Sequence, residues 1–204
     1  MPRLLAVVEG RGEEVAVPRL LTRAVHRIGK HDWVVPERLT MRVGGLPAFR
    51  AHLGRNAEAL RRQPVDAALV LLDLDDGCPA EEGPKLADNL RGYGLPFPVA
   101  VVLARREYEA WFLASLPSIA AETTDLPEDA HYPGEPEKPR DCKAPLRALM
   151  PQGRRYDPVL HQAAFTSALD FDVAAERCRS FRRLLNAVDE VTTATAPVVT
   201  PDRR

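Results

Sequence analysis

The sequence predicts an α/β fold in which a mainly parallel sheet is flanked by helices and followed by a proline-rich loop and C-terminal helices. Three observations carry this prediction. Residues 4–8, 67–72 and 98–104 are short apolar runs bounded by glycine, proline or acidic residues, as buried parallel strands are. Between them, apolar residues recur at helical spacing. Two of the runs end abruptly in carboxylates, as Val7-Val8-Glu9-Gly10 and as Leu71-Leu72-Asp73-Leu74-Asp75-Asp76-Gly77.

Each element follows from local pattern. Residues 4–8 form the first strand, bounded by Gly10 and Gly12. Val17, Leu20, Leu21, Ala24, Val25 and Ile28 then mark a helix with Gly29 as its stop, and Pro18 is tolerated there if it lies in the first turn. Residues 33–35 and 41–43 read as short strands or an irregular excursion. Phe49, Leu53, Ala57 and Leu60 mark a second helix ending before Pro64. The strand at 67–72 is followed by a helix at 85–90, closed by Gly92 and Gly94, and by a valine-rich strand at 98–104. Residues 108–116 form a helix stopped by Pro117. Prolines 117, 127, 133, 136, 139 and 145 then interrupt any regular pattern. Helices are expected near 146–150, 159–168 and 173–188. The predicted organisation is an α/β core at 1–116, a proline-rich loop or lid at 117–145, C-terminal helices packed on the core at 146–190, and a disordered tail at 191–204.

Composition narrows the function classes. The formal net charge is −1, so no global basic field advertises nucleic-acid binding, and any such contact needs a local basic patch or bridging metal ions. Cys78, Cys142 and Cys178 are odd in number, lack metal-type spacing and read as free thiols of a cytoplasmic protein. The chain runs straight from Met1 into an apolar strand, and no apolar stretch reaches the roughly 18 residues of a membrane span, so neither a signal peptide nor a membrane is expected. Gly10-Arg11-Gly12 lacks the Gly-Lys-Ser/Thr of a phosphate loop, no serine nucleophile elbow is present, and the five histidines share no ligand spacing.

The chemistry is expected at the strand ends, because ligands of parallel α/β sheets bind beyond the carboxyl ends of the strands. Glu9, Asp73, Asp75, Asp76, Glu107 and Glu109 all fall there. Asp73 and Asp75 are two apart, so an extended chain points both to one side, where they can share an ion; Asp76 fits equally as the cap of the following turn. Glu13 and Glu14 lie where a helix begins and also suit its dipole. Glu107 and Glu109 flank Tyr108 before Trp111 and Phe112. The two aromatics are expected in the core, and the glutamates either serve the site or start a charged helix. All-carboxylate donors select a hard cation, Mg²⁺ or Mn²⁺, rather than Zn²⁺. Lysine is rare here, at positions 30, 85, 138 and 143. Lys143 follows the proline-rich segment and is either a solvated side chain or a catalytic cation brought over the acidic edge, with Lys85 as the rival.

Glu9-Gly10 with Glu13, then Asp73-Leu74-Asp75 after a second strand, is similar to the Toprim pattern shared by topoisomerases, bacterial primases, recombination proteins and OLD-family nucleases. The block Arg106-Glu107-Tyr108-Glu109-Ala110-Trp111-Phe112-Leu113-Ala114 resembles an uncharacterised bacterial Toprim-like family, as do Lys143 with Leu146 and Ser180-Phe181, over about residues 3 to 188. The resemblance implies a Toprim-like (Rossmann-like) sheet. It implies Glu9 as an acid/base or metal-linked carboxylate, Asp73 and Asp75 as Mg²⁺ ligands and Glu13 as an auxiliary ligand. It further implies a nuclease acting on DNA or RNA in bacterial defence or genome maintenance. Two other readings stand beside it. A strand followed by Asp-x-Asp also suits a phosphatase of the haloacid dehalogenase type, although no paired aspartates follow a later strand. A non-catalytic Toprim-like domain can also serve as a nucleic-acid or protein-binding module, as the partner of an ATPase.

Overall fold

The computed structural model describes residues 1–194. Four parallel strands, β1 (Leu4–Val8), β2 (Met41–Arg42), β3 (Ala67–Leu74) and β4 (Val99–Arg105), form one sheet in the order β2-β1-β3-β4. The expected α/β class, with helices on both faces of a parallel sheet, is the observed one. Both faces are covered, which is why the strands read as unbroken apolar runs rather than as alternating ones. Leu4, Ala6, Val8, Leu69, Leu71, Val102 and Ala104 form one core with α1 (Glu13–Arg27) and the C-terminal helices. Leu5, Val7, Val70, Leu72, Val101 and Leu103 form a second core with α2 (Leu46–Ala51), α3 (Leu53–Arg61) and α4 (Pro79–Arg91).

Several expected boundaries shift for identifiable reasons. Gly29 does close α1: at φ +76° it lets its own N–H reach the His26 carbonyl and Lys30 N–H reach that of Val25, the Schellman pattern. Pro18, however, is the sixth residue of α1, so this helix gives up one main-chain hydrogen bond in its second turn rather than none. The single helix expected around Phe49–Leu60 is two, α2 and α3, meeting at His52. Residues 41 and 42 are the short strand β2, whereas Val34 makes only an isolated bridge to Arg3.

Pro117 begins a helix rather than ending one. Alpha5 (Ala110–Ala114) stops at Ser115, and α6 (Leu116–Glu122) carries Pro117 in its first turn, where the missing N–H has no role. The irregular stretch is therefore 123–142, between α6 and α7 (Lys143–Leu149). After α8 (Pro158–Ala168), the helix expected over 173–188 is broken at Cys178 into α9 (Phe171–Arg177) and α10 (Arg179–Thr193). Val191, expected in the disordered tail, is still helical and buried; residues 195–204 of that tail lie outside the described residues. Among the described residues, no helix is long and apolar enough to cross a membrane.

The irregular stretch is fixed by a buried carboxylate. Glu137 accepts from Arg179 N–H at 3.0 Å and from Ser180 N–H at 2.9 Å, and also from the Ser180 hydroxyl, so it caps α10 from 42 residues away. Ser180 Oγ in turn accepts from Trp111 Nε1 at 2.9 Å. Trp111 and Phe112 are fully buried, as expected, and pack edge-on against Phe181 and Phe165. Removing the cap leaves buried donors at the α10 N-terminus without partners. Glu137→Ala should therefore lower unfolding free energy by about 2 kcal/mol and shift Trp111 emission, as read by urea unfolding followed by fluorescence. A loss within about 0.5 kcal/mol, typical of an ordinary surface substitution, would show that the cap does not anchor the segment.

Candidate functional site

The chain leaves β1 toward β2 on one side and returns to β3 on the other, so the β1/β3 pair is the topological switch point of the sheet. Val7 pairs with Val70, which brings the ends of these two strands side by side. Glu9 follows β1, and its Oε2 accepts from Asp73 N–H at 3.3 Å. Asp73 projects to the α1 face, with Leu69 and Leu71, and its Oδ1 accepts from Tyr108 N–H at 2.8 Å in the loop after β4. Two carboxylates thus tie together the ends of β1, β3 and β4. Glu13, the buried first residue of α1, turns back so that its Oε2 accepts from Glu9 N–H at 2.8 Å and Gly10 N–H at 3.4 Å. Glu13 shapes the turn that carries Glu9 as well as adding charge.

A second group meets the first from the C-terminal side. Glu107 Oε2 accepts from Cys142 N–H at 2.7 Å and Lys143 N–H at 3.2 Å, capping α7, and Glu107 Oε1 lies 2.5 Å from Lys143 Nζ. Glu109 is fully buried. Its Oε1 accepts from Tyr156 OH at 3.0 Å and Gln162 Nε2 at 2.9 Å, while Oε2, which has no hydrogen bond among the described residues, lies 3.2 Å from Lys143 Nζ. Helix α5 begins only at Ala110, so Glu107 and Glu109 do not diverge around a helix axis but both face Lys143. Lys143 lies at the acidic edge, its side chain 26% exposed and doubly ion-paired. Lys85 pairs instead with Glu82, at 3.0 Å on the surface of α4.

The remaining acids of the Asp-x-Asp segment lie outward. Asp75, beyond the end of β3, is exposed but close enough to raise the pKa of Glu9. Asp76 is exposed and pairs with Arg106 and Arg140. Tyr156 and Gln162, which hold Glu109, carry no motif in the sequence. They lie 47 and 53 residues further on, and only the fold brings them in. Gly12 leaves room for Gln162 and the start of α8: a Cβ there would fall 2.1 Å from Gln162 Oε1 and 2.6 Å from the Pro158 carbonyl oxygen.

Electrostatically the site holds more negative charge than its lysine offsets. Burial pushes the Asp73 carboxyl well above its usual range, with Glu13, Glu109 and Glu9 adding to the rise and Lys143 opposing it. Glu13 rises to about 7, by burial and the charges of Glu9 and Glu109, against the two N–H groups it accepts from. Glu9 also rises, by burial and then by Asp75 and Glu107. Burial alone would depress Lys143, but Glu109, Glu107 and Asp73 outweigh it and hold the ammonium protonated. Burial and the neighbouring glutamates push the Cys142 thiol beside this group up to about 12, which disfavours its thiolate.

Among the described residues, no three His, Cys, Asp or Glu side chains are gathered closely enough to hold a metal ion as they stand. The donor chemistry nevertheless fits a hard divalent cation. Glu9 Oε1 and Asp73 Oδ2 have no hydrogen-bond partner among the described residues, and the three raised carboxyls are groups that an added cation would relieve.

Every residue of this arrangement falls within one family match. The model of the family described as Domain of unknown function (DUF4276) matches residues 8–189. The chain belongs to that family. No curated protein and no solved structure matches it. The DUF4276 match takes in both strand ends, the irregular stretch and most of α10, so the acidic edge and the segment that packs beside it belong to a single family unit.

The raised carboxyls carry a stability consequence. Glu13 binds a proton more tightly folded than unfolded, so the stability it lends is complete below about 4.5 and is lost as pH rises through about 7. In chelator, thermal denaturation should show stability falling across this window. Glu13→Gln, which keeps an acceptor for Glu9 N–H, should flatten the fall. A wild-type profile that is level or rising from 4.5 to 7 would contradict the charge excess.

Proposed function

We propose that the protein is a metal-dependent phosphoryl-transfer protein, a Toprim-type nuclease acting on DNA or RNA in bacterial defence or genome maintenance. The observation that carries this reading is the meeting of Glu9 and Asp73 across the switch point of a parallel sheet, where their carboxylates are tied into one edge. The Toprim relation rests on the residue pattern at Glu9, Glu13, Asp73 and Asp75. Asp73 and Glu9 would hold Mg²⁺ or Mn²⁺ through their free oxygens, with Asp75 at the rim. A divalent cation supplies charge neutralisation at a phosphoryl group and an activated water.

The chain's own residues take the other roles. Glu13 sets the Glu9 backbone. Glu107 and Glu109 orient Lys143 through two ion pairs, leaving a fixed ammonium to stabilise negative charge that develops on oxygen. Tyr156 and Gln162 fix Glu109 from behind and shield it from water. A second reading, a non-catalytic binding module, draws on the absence of a closed three-carboxylate set among the described residues.

The test is incubation of purified protein with plasmid DNA, single-stranded DNA and RNA in Mn²⁺ or Mg²⁺, beside a phosphomonoester. Cleavage of a polynucleotide is expected, abolished by Asp73→Ala. Lys143→Ala should slow cleavage by about 10²-fold, in protein whose folding and metal loading are checked by circular dichroism and calorimetry. Cleavage unchanged in Asp73→Ala would sink the site. Binding without cleavage favours the module, and turnover of the phosphomonoester alone favours a phosphatase.

A further inference from the structure

Two guanidinium groups converge on one oxygen at the rim of the acidic edge. Asp76 Oδ1 lies 2.9 Å from Arg106 Nη1 and 2.6 Å from Arg140 Nη2. The two arginines come from different segments, Arg106 from the end of β4 and Arg140 from the irregular stretch just before Lys143. Arg106 is also strained. Among the described residues it is the one non-glycine with a left-handed backbone, at φ 72°. Its N–H donates to the Leu74 carbonyl at 2.9 Å, and its guanidinium also reaches the Asp75 carbonyl, which fixes its direction. Its Nε is buried and has no hydrogen-bond partner among the described residues.

Asp76 is largely solvated, and an ion pair to such a partner contributes little to stability, so the pairing does not account for holding Arg106 in this conformation. Strain of this kind is kept where it aims a side chain. The trio of Asp76, Arg106 and Arg140 carries one more positive than negative charge, beside a floor that is otherwise acidic. A guanidinium fork binds carboxylate and phosphate with the same geometry, so a carboxylate between two arginines occupies a place that suits a phosphate.

We propose that Arg106 and Arg140 form a clamp for the phosphodiester backbone of a nucleic-acid strand, with the Asp76 carboxylate holding that place until a strand displaces it. This rests on the polynucleotide reading above and adds to it the residues that grip the strand. The rim is open at Arg140 and Asp76, whose side chains are 75% and 61% exposed, while Arg106 is 21% exposed and forms its inner wall; this fits a long polyanion crossing the surface rather than an enclosed small molecule. The clamp also answers how a chain of net charge −1 draws a polyanion to a carboxylate site: the attraction is local and lies at the rim. Asp76 has the further effect of making the free clamp less attractive to stray anions.

Fluorescence anisotropy with labelled single-stranded DNA and RNA oligonucleotides, in chelator so that no divalent cation contributes, tests the clamp. Arg140 and Asp76 are exposed, so their variants keep the fold. Arg140→Ala should weaken binding about tenfold and reduce the salt slope by about 1. Asp76→Asn should tighten it, by roughly threefold to tenfold, because the competing charge is gone while the side-chain shape stays. Failure of wild type to bind either strand, equal binding by Arg140→Ala, or no gain in Asp76→Asn would each overturn the clamp. The same proteins in a cleavage assay separate the two ideas. The expected binding pattern without cleavage in Mn²⁺ supports the clamp and removes the nuclease; cleavage with an unchanged binding pattern keeps the nuclease and removes the clamp.

Discussion

Crowding of like charge at the carboxyl edge of the sheet is the constraint on which the rest of the structure turns. Glu9, Glu13, Asp73, Glu107 and Glu109 share one region with a single ammonium, and burial raises the cost of every uncompensated charge. A fold that only needed stability would place apolar groups there. This one spends main-chain donors, a lysine and two buried side chains on keeping the acids together. Asp73 N–H, Tyr108 N–H and Glu9 N–H each point at a carboxylate, so the strand ends are organised around the acids.

The C-terminal third exists in large part to complete that edge. Alpha7 delivers Lys143 and is capped by Glu107, while Tyr156 and α8, through Gln162, deliver the partners of Glu109. The irregular stretch is held at its far end by Glu137 on α10 and by Arg177, which donates to the carbonyls of Tyr132 and Gly134. Placement of Lys143 and Arg140 therefore depends on contacts made more than 30 residues away in either direction. A substitution in the aromatic packing of Trp111 and Phe181 would reach the site through that chain of contacts, with no direct effect on any carboxylate.

Much of this was legible in the sequence, and the limits have physical causes. Strands buried on both faces announce themselves as apolar runs, so β1, β3 and β4, and the acids that terminate them, could be read directly. Trp111 and Phe112 could be assigned to the core for the same reason. Proline misled twice, because its effect depends on its place in the helix: Pro117 opens α6, and Pro18 sits beyond the first turn of α1. Period-two spacing suggested that Asp73 and Asp75 act as a pair, but β3 ends at Leu74, so Asp75 falls at the exposed rim and Asp76 turns to arginines. Tyr156, Gln162 and Glu137 were silent because each acts across 42 residues or more, and a buried polar residue has no signature until its partner is known.

The charge excess is what a divalent cation would resolve, and direct titration measures it. Isothermal calorimetry of Mn²⁺ into metal-free protein, with Asp73→Asn and Glu9→Gln run beside wild type, should give saturable binding by wild type and its loss in both variants. Absence of binding by wild type, or equal binding by Asp73→Asn, would contradict a cation held at the junction of β1 and β3.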